Sequence, residues 1–119
     1  GVSAPLLFEA VAVEATRKVS TLTSPELASI VWAFSRAGVS APALFEAVAL
    51  EAPKKIERFN AQALANIIWS FARAEVEAPT LFEAAAAEAC NKMPSFGSQA
   101  LANTVWAYAT AGFEAPALF

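Results

Sequence analysis

The chain has 119 residues, of which 57% are hydrophobic, and its formal net charge is −3. This apolar content is too high for a disordered chain and predicts a folded domain. The negative net charge argues against the strongly basic surface that is typical of many nucleic-acid-binding proteins. Histidine is absent, which removes the commonest general base and metal ligand, and a single cysteine cannot form an intrachain disulfide.

The same composition argues against catalysis. The sequence contains no Gly-rich phosphate loop and no nucleophile beside a base, so we expect no enzymatic activity, no cofactor, no metal site and no small-molecule substrate. Cys90 is predicted to lie on the outer, polar side of its helix as an inert, partly exposed thiol. We also expect no membrane-spanning segment, and no targeting segment is recognisable.

A repeat of 37 residues organises the chain. Three blocks align without gaps and a fourth begins after them: residues 1–37, 38–74, 75–111 and 112–119. Repeats of this length form helix–turn–helix units that bury their apolar faces by stacking on one another. The sequence therefore predicts one all-α domain over residues 1–119, an α-solenoid of helix–turn–helix repeats with a 37-residue period. We expect it to be a segment of a longer array.

Each block begins with an amphipathic helix that opens at a proline. The three prolines are Pro5, Pro42 and Pro79. Proline suits the first turn of a helix, where the missing N–H has no partner to lose. Pro53 falls well inside such a helix and should bend or end it near Ala52. Glutamate–lysine pairs four residues apart are predicted to be solvated helix surface, and they are Glu14–Lys18, Glu51–Lys55 and Glu88–Lys92.

The second helix of each block follows a short polar loop. Thr23 with Glu26 has the spacing of a capping box, and Asn60 is a predicted N-cap in the next block. Gly38 and Gly112 are predicted helix stops. In the middle block Glu75 stands where the other two blocks have this glycine.

A helical wheel places a narrow polar or small-residue stripe on the second helix, which is otherwise apolar. In the three blocks the stripe is Glu26, Ser29, Ala33 and Arg36, then Ala63, Asn66, Ser70 and Arg73, then Ala100, Asn103, Ala107 and Thr110. A helix packed on its flanks and back is the inner helix of a stack, so the stripe is predicted to face a concave groove. Trp32, Trp69 and Trp106 are predicted mainly to pack between neighbouring repeats, with one edge visible from the groove. Trp32 and Trp69 precede Arg36 and Arg73 by four residues, which allows a cation–π contact in each pair.

The run "QALANTVWAYATAG" at residues 99–112, followed by "APALF", and the "LFEAVA" helix resemble the octotricopeptide and heptatricopeptide repeat families. The resemblance implies an organellar factor of the chloroplast or mitochondrion that acts in RNA processing, stability or translation. It implies binding of single-stranded RNA along the concave groove, at about one nucleotide per repeat. No RAP domain, which often accompanies such repeats, is present in this chain.

Carried over by position, the resemblance assigns RNA contacts to residues of the second helices. The base-contacting candidates are Ser29, Asn66 and Asn103, followed by Asn60, Gln62, Gly97 and Gln99 near the helix starts, with Arg36, Arg73 and Thr110 near the helix ends. Asn and Gln can pair with base edges, and Arg can stack on a base or reach a phosphate. The first block departs from the pattern because Pro25 and Ser29 stand where the others have Gln and Asn.

A protein-interaction scaffold of the HEAT or armadillo type is the alternative. Such solenoids use the same geometry to hold peptides, and an acidic chain suits a basic partner. The sign of the charge in the groove distinguishes the two hypotheses, since a negative or neutral groove favours the scaffold.

Overall fold

A computed structural model describes residues 4–112, and this part of the chain is all-helical with no strand. The α-helices are α1 (Ala4–Arg17), α2 (Ser24–Ala37), α3 (Pro42–Glu51), α4 (Ala61–Arg73), α5 (Pro79–Asn91) and α6 (Ser98–Thr110), and 3₁₀ segments cover Val19–Thr21, Ala52–Arg58 and Met93–Ser95. The all-α prediction is confirmed. Beyond Gly112, the predicted fourth block lies outside the described residues. No described helix is both long and apolar enough to cross a membrane.

The helices lie in two layers. In one layer α2 packs along α4 and α4 packs along α6, and these are the most extensive contacts between helices. In the other layer α1 contacts α3 and α3 contacts α5 over smaller areas. The apolar core fills the space between the layers. Fully buried side chains from both layers meet there, among them Leu27, Leu44, Leu64, Phe71 and Leu81.

One aromatic pair connects the two helices of each block. The rings of Phe8 and Phe34 and those of Phe45 and Phe71 meet edge to face, with centroids 5.0 Å apart in each pair. Phe82 and Tyr108 repeat the geometry at 5.1 Å. Edge-to-face pairs contribute about 0.5–1.5 kcal/mol beyond the apolar area that they bury. The same contact thus recurs every 37 residues and sets the separation of the paired helices.

The predicted helix ends are confirmed. The Thr23 hydroxyl accepts a hydrogen bond from the Glu26 N–H, and the Glu26 carboxylate accepts one from the Thr23 N–H, which together form a capping box. The Asn60 side chain caps α4 by accepting from the Ala63 N–H at 2.8 Å. Gly38 ends α2 in the left-handed region, with φ of 70°.

Pro53 has the predicted effect on the helix before it. Helix α3 ends at Glu51, and a 3₁₀ segment, Ala52–Arg58, replaces its continuation. Within that segment Lys55 has φ of −128°, outside the helical range. The first helix of the second block is therefore shorter than its counterparts in the other blocks.

The glutamate–lysine pairs form, with N–O distances of 2.9 Å for Glu14–Lys18, 3.2 Å for Glu51–Lys55 and 2.9 Å for Glu88–Lys92. In the first pair the carboxylate is half-exposed, and Lys18 holds the pKa of Glu14 below its usual value. The prediction of solvated surface is wrong for the other two, because the Glu51 and Glu88 side chains are only 12% and 13% exposed. The four-residue spacing of each pair describes a single helix and does not include the neighbouring block that covers these two glutamates.

The two covered lysines reach into the preceding block. Lys55 Nζ donates to the carbonyl oxygens of Ser20 at 3.3 Å and Leu22 at 2.9 Å. Lys92 Nζ donates to the corresponding carbonyl oxygens, those of Glu57 at 2.7 Å and Phe59 at 2.6 Å. Since a lysine ammonium has three N–H donors, one carboxylate and two carbonyls satisfy it fully. We call this arrangement the lysine clamp.

Glu75 occupies the left-handed region with φ of 59°. A residue with a Cβ is strained there by about 1–2 kcal/mol, whereas glycine is not. We expect Glu75→Gly to raise the free energy of unfolding by about 1 kcal/mol, because the relief of strain exceeds the extra freedom of glycine in the unfolded chain. Gly38→Ala is the matched control and should lower stability by a similar amount, since a Cβ at Gly38 meets no atom within 4 Å and only the φ angle opposes it. Urea titration measures both, and a Glu75→Gly variant no more stable than the parent chain would contradict the assignment.

The lysine clamp predicts different effects for equivalent lysines. Lys92→Ala removes the partner of two carbonyls and of a carboxylate that is mostly buried, so it should lower the free energy of unfolding by about 1–3 kcal/mol. Lys18→Ala removes one exposed ion pair and should change it by less than about 0.5 kcal/mol. Thermal and urea unfolding of the two variants tests this difference, and equal effects would show that the carbonyl contacts contribute nothing.

Candidate nucleic-acid interface

One exposed surface is built from α2, α4 and α6 together. Each helix contributes four residues at spacings of four, three and four, which share one side of an α-helix. They are Pro25, Ser29, Trp32 and Arg36 from α2, Gln62, Asn66, Trp69 and Arg73 from α4, and Gln99, Asn103, Trp106 and Thr110 from α6. All twelve are exposed or half-buried. We call this surface the tryptophan face.

The tryptophan rings are more open to solvent than the sequence predicts. Trp32 is 41% exposed and Trp106 is 42% exposed. Trp69 is half-buried, and its ring centroid lies 6.0 Å from that of Trp106 at an interplanar angle of 35°. The predicted packing between neighbouring blocks is thus present for Trp69 and Trp106. The exposed parts of these two rings form an aromatic patch that spans α4 and α6.

Two arginines lie over tryptophan rings, as their spacing predicts. The guanidinium carbon of Arg36 is 5.5 Å from the Trp32 ring centroid, and that of Arg73 is 5.7 Å from the Trp69 ring centroid. Both distances are within the range of cation–π attraction. In α6, Thr110 takes the position of the arginine.

The wheel prediction of the exposed stripe is wrong at two positions in the second block and at one in the third. Ser70 and Ala107 are fully buried, and Ala63 is also buried, whereas Ala33 is exposed. Helix α4 packs along α2, and α6 packs along α4. The small side chains at these positions allow the neighbouring helices to approach closely, and this contact buries them. The Ser70 hydroxyl donates to the Asn66 carbonyl oxygen at 2.6 Å. The exposed line therefore runs through the tryptophans and not through these small residues.

The predicted amide contacts have different surroundings. Gln99 Nε2 donates to Asn103 Oδ1 at 3.2 Å, so these two side chains form one amide pair on α6. Gln62 and Ser29 are exposed, and Asn66 is half-buried. Away from the face, Asn60 and Gly97 are the N-cap residues of α4 and α6. The Asn60 oxygen is engaged in its cap, which leaves its NH₂ group to donate to a ligand.

The charge near the tryptophan face is mildly positive although the chain is acidic. Arg36 and Arg73 are exposed on it. Glu26, the acid nearest to the start of α2, is held in the capping box. The twelve residues of the tryptophan face thus include two cations and no carboxylate.

Cys90 is half-buried, which agrees with the partly exposed thiol expected from the sequence. It is close enough to Tyr108 to contribute to that residue's raised pKa, of which burial is the main cause. The Tyr108 hydroxyl donates to the Phe82 carbonyl oxygen at 2.6 Å. Within residues 4–112, no group of three or more His, Cys, Asp or Glu side chains is placed to hold a metal ion.

A family model described as RNA-editing substrate-binding complex 6 protein matches residues 1–119. The chain belongs to this family. No curated protein and no solved structure matches the chain significantly. Membership of the RNA-editing substrate-binding complex 6 protein family supports an RNA-associated helical protein, and it does not single out the octotricopeptide or heptatricopeptide type.

The sequence predicted the tryptophans mainly as packing residues with one edge visible from the groove, and it therefore underestimated the exposure of Trp32 and Trp106. Their spacing from the arginines carried the signal, because a residue four positions before an exposed arginine shares its side of the helix.

Proposed function

We propose that the chain is a segment of an α-solenoid with a 37-residue period that binds single-stranded RNA along the tryptophan face, within an RNA-editing substrate-binding complex. The observation that carries the proposal is the combination on one surface of exposed tryptophans, arginines over their rings and Asn or Gln side chains beside them. Proteins that bind single-stranded RNA use these chemical groups.

Repeated contacts support the solenoid. The lysine clamp and the edge-to-face aromatic pair both recur at intervals of 37 residues. The molecule is elongated, with extents of 47 × 26 × 23 Å. Because α2, α4 and α6 pack more closely than α1, α3 and α5, the stack is expected to curve with the tryptophan face on its concave side.

Each type of side chain has a distinct role in the proposed complex. Trp32, Trp69 and Trp106 offer ring faces on which bases stack regardless of sequence. Arg36 and Arg73 leave or share the ring faces to reach phosphates or to stack on bases themselves. The resemblance to octotricopeptide and heptatricopeptide repeats implies that each block binds about one nucleotide. It also implies that Ser29, Asn66 and Asn103 contact the bases. It also supports a chloroplast or mitochondrial location.

Charge favours RNA over the scaffold alternative. A peptide scaffold for a basic partner requires an acidic or neutral groove, whereas Arg36 and Arg73 make the tryptophan face mildly positive. The family's printed name refers to a complex, and protein partners therefore accompany RNA in the proposal. We propose a role in binding, without catalysis.

The expected affinity of three blocks is low. Stacking contributes about 1–3 kcal/mol per base, so three blocks gain about 3–9 kcal/mol. Association costs about 4–15 kcal/mol in lost translational and rotational freedom. The electrostatic attraction of the arginines for phosphate must supply the remainder, and it is strongest at low salt. We therefore expect binding that is measurable at low salt and lost near physiological salt.

Fluorescence anisotropy of labelled single-stranded RNA, titrated with the chain over a series of salt concentrations, tests the proposal. Arg36→Ala combined with Arg73→Ala should weaken binding at low salt and reduce the salt slope by about 1.4, since each phosphate contact on a single strand contributes about 0.7. Arg17→Ala is the matched control, because Arg17 is also exposed but lies on α1 in the other layer, and it should leave both values unchanged. Absence of binding at low salt would exclude the proposal.

The Asn side chains should affect base preference more than affinity. Asn66→Ala combined with Asn103→Ala should flatten the differences among the four RNA homopolymers, because the amide groups pair with base edges while the rings bind any base. Asn91→Ala, an exposed asparagine on α5, is the control and should preserve the preference. An unchanged preference in the double variant would remove these two residues from base reading.

A further inference from the structure

A cavity of about 430 Å³ lies between the α2–α3 turn and the end of α4, and we call it the turn cavity. Phe34, Val39 and Phe45 contribute to its apolar walls. Arg73 also lines it, and the guanidinium carbon of this residue is 5.7 Å from the Trp69 ring centroid, so the cavity adjoins the tryptophan face. Small-molecule sites in proteins commonly have volumes of about 300–1,000 Å³ and apolar walls with a few polar groups.

Ser35 brings to the turn cavity a hydroxyl that no described residue satisfies. The residue lines the cavity and is 5% exposed, and its Oγ has no hydrogen-bond partner within residues 4–112. An unpaired buried hydroxyl destabilises a fold. The equivalent positions in the other blocks are Ala72 and Ala109, so the packing of a block does not require a hydroxyl there. A serine side chain turns between staggered rotamers, and a polar group inside the cavity can therefore pair with it.

Arg73 and Glu46 restrict the chemistry of the ligand. Both side chains line the turn cavity and both residues are exposed. The guanidinium suits a phosphate group, whereas the carboxylate repels a free anion and accepts hydrogen bonds from an amino group. A ligand that satisfies both carries an anionic group and an amino group, with an apolar ring to fill the space between the walls. A nucleotide whose base bears an amino group has these parts.

A second cavity, of about 390 Å³, occupies the equivalent place one block later and lacks these groups. Thr110 stands there in the position of Arg73, and Glu75 and Glu77 also line it. Its described lining residues therefore present two carboxylates and no lysine or arginine to a phosphate. This comparison confines the site to the junction of the first and second blocks.

We propose that the turn cavity binds one nucleotide of the RNA strand whose neighbouring bases stack on the tryptophan face. The base fills the cavity, its amino group donates to the Glu46 carboxylate, Ser35 pairs with its polar edge, and Arg73 holds its phosphate. Uracil is disfavoured, because it has a carbonyl oxygen where cytosine has its amino group, and two acceptors repel each other. This inference rests on the proposed function and adds to it one position that selects the base.

NMR spectroscopy of the isotope-labelled chain tests the site with single nucleotides, separately from binding of a strand. Titration with CMP should shift the methyl resonances of Val39 and Ala41 in the turn cavity and leave that of Ala78 in the second cavity in place. UMP should bind at least about threefold more weakly, since one hydrogen bond is lost. The absence of a CMP shift at Val39 and Ala41 overturns the proposal, and so do equal affinities for CMP and UMP.

The same spectra separate this proposal from the proposed function. An RNA strand that shifts the tryptophan indole resonances and leaves Val39 and Ala41 in place overturns the turn cavity and retains the tryptophan face. Shifts of the cavity methyl groups with CMP, combined with no binding of any strand at low salt, retain the site and exclude the proposed function. Shifts of these methyl groups with penta-lysine and none with CMP overturn the proposal in favour of a peptide site.

Ser35→Ala distinguishes a ligand contact from a structural role, because the two measured effects should have opposite signs. The variant should raise the urea midpoint, since an unpaired buried hydroxyl is removed, and it should weaken CMP binding about three- to tenfold. Ser24→Ala is the matched control, because Ser24 Oγ is also buried and unpaired within the described chain but does not line the turn cavity. CMP affinity should be unchanged in the control, and an unchanged affinity in Ser35→Ala overturns the proposal.

The two charged residues have separate readouts. Glu46→Ala should make the affinities for CMP and UMP equal, whereas Glu83→Ala, at the equivalent exposed position on α5, should preserve the difference. Arg73→Ala should remove the advantage of CMP over cytidine, which lacks the phosphate. Discrimination between CMP and UMP that survives in Glu46→Ala overturns the assigned contact and the proposal with it.

Discussion

The lysine clamp is the contact on which the arrangement of the helices depends. Lys55 binds the carbonyl of Leu22, which immediately precedes Thr23, the N-cap residue of α2. Lys92 binds the carbonyl of Phe59, which immediately precedes Asn60, the N-cap residue of α4. The clamp therefore fixes where α2 and α4 begin relative to the next block. Because the starting point of a helix sets the direction of every side chain along it, the clamp also determines which residues face outward at Trp32 and Trp69.

The clamp also explains why the glutamates of the second and third blocks tolerate burial. A carboxylate taken out of water is costly unless it is paired, and a lysine is costly in the same way. Glu51 and Glu88 each bond to a lysine whose remaining donors are satisfied by backbone carbonyls. The edge-to-face aromatic pairs then hold the two layers together, and in the third block the Tyr108 hydroxyl adds a hydrogen bond to the Phe82 carbonyl.

Local chemistry made much of the fold predictable from the sequence. The capping box at Thr23, the cap at Asn60 and the end of α3 before Pro53 depend on residues within one or two turns of each other, and a sequence displays such neighbours directly. The 37-residue repeat is a property of the sequence itself, and the edge-to-face aromatic pairs recur at the same interval.

Contacts between blocks were not predictable in this way. The wheel treated Ser70 and Ala107 as exposed because it describes one helix without its neighbours. The four-residue spacing of Glu51 and Lys55 predicted solvated surface for the same reason. The exposure of the tryptophans follows from how closely α2, α4 and α6 approach, which depends on those small buried residues. The sequence thus indicated the surface that carries Ser29, Asn66 and Asn103 while misplacing the residues beside them.

The left-handed backbone at Glu75 has a consequence for how the chain moves. The junction between α2 and α3 turns at a glycine, whereas the junction between α4 and α5 turns at a strained glutamate. Local opening is favoured where the folded backbone stores strain, since opening releases it. The α4–α5 junction therefore stores backbone strain that the α2–α3 junction does not, and local opening of that turn releases it. The Trp69–Trp106 contact joins the two blocks that this turn connects.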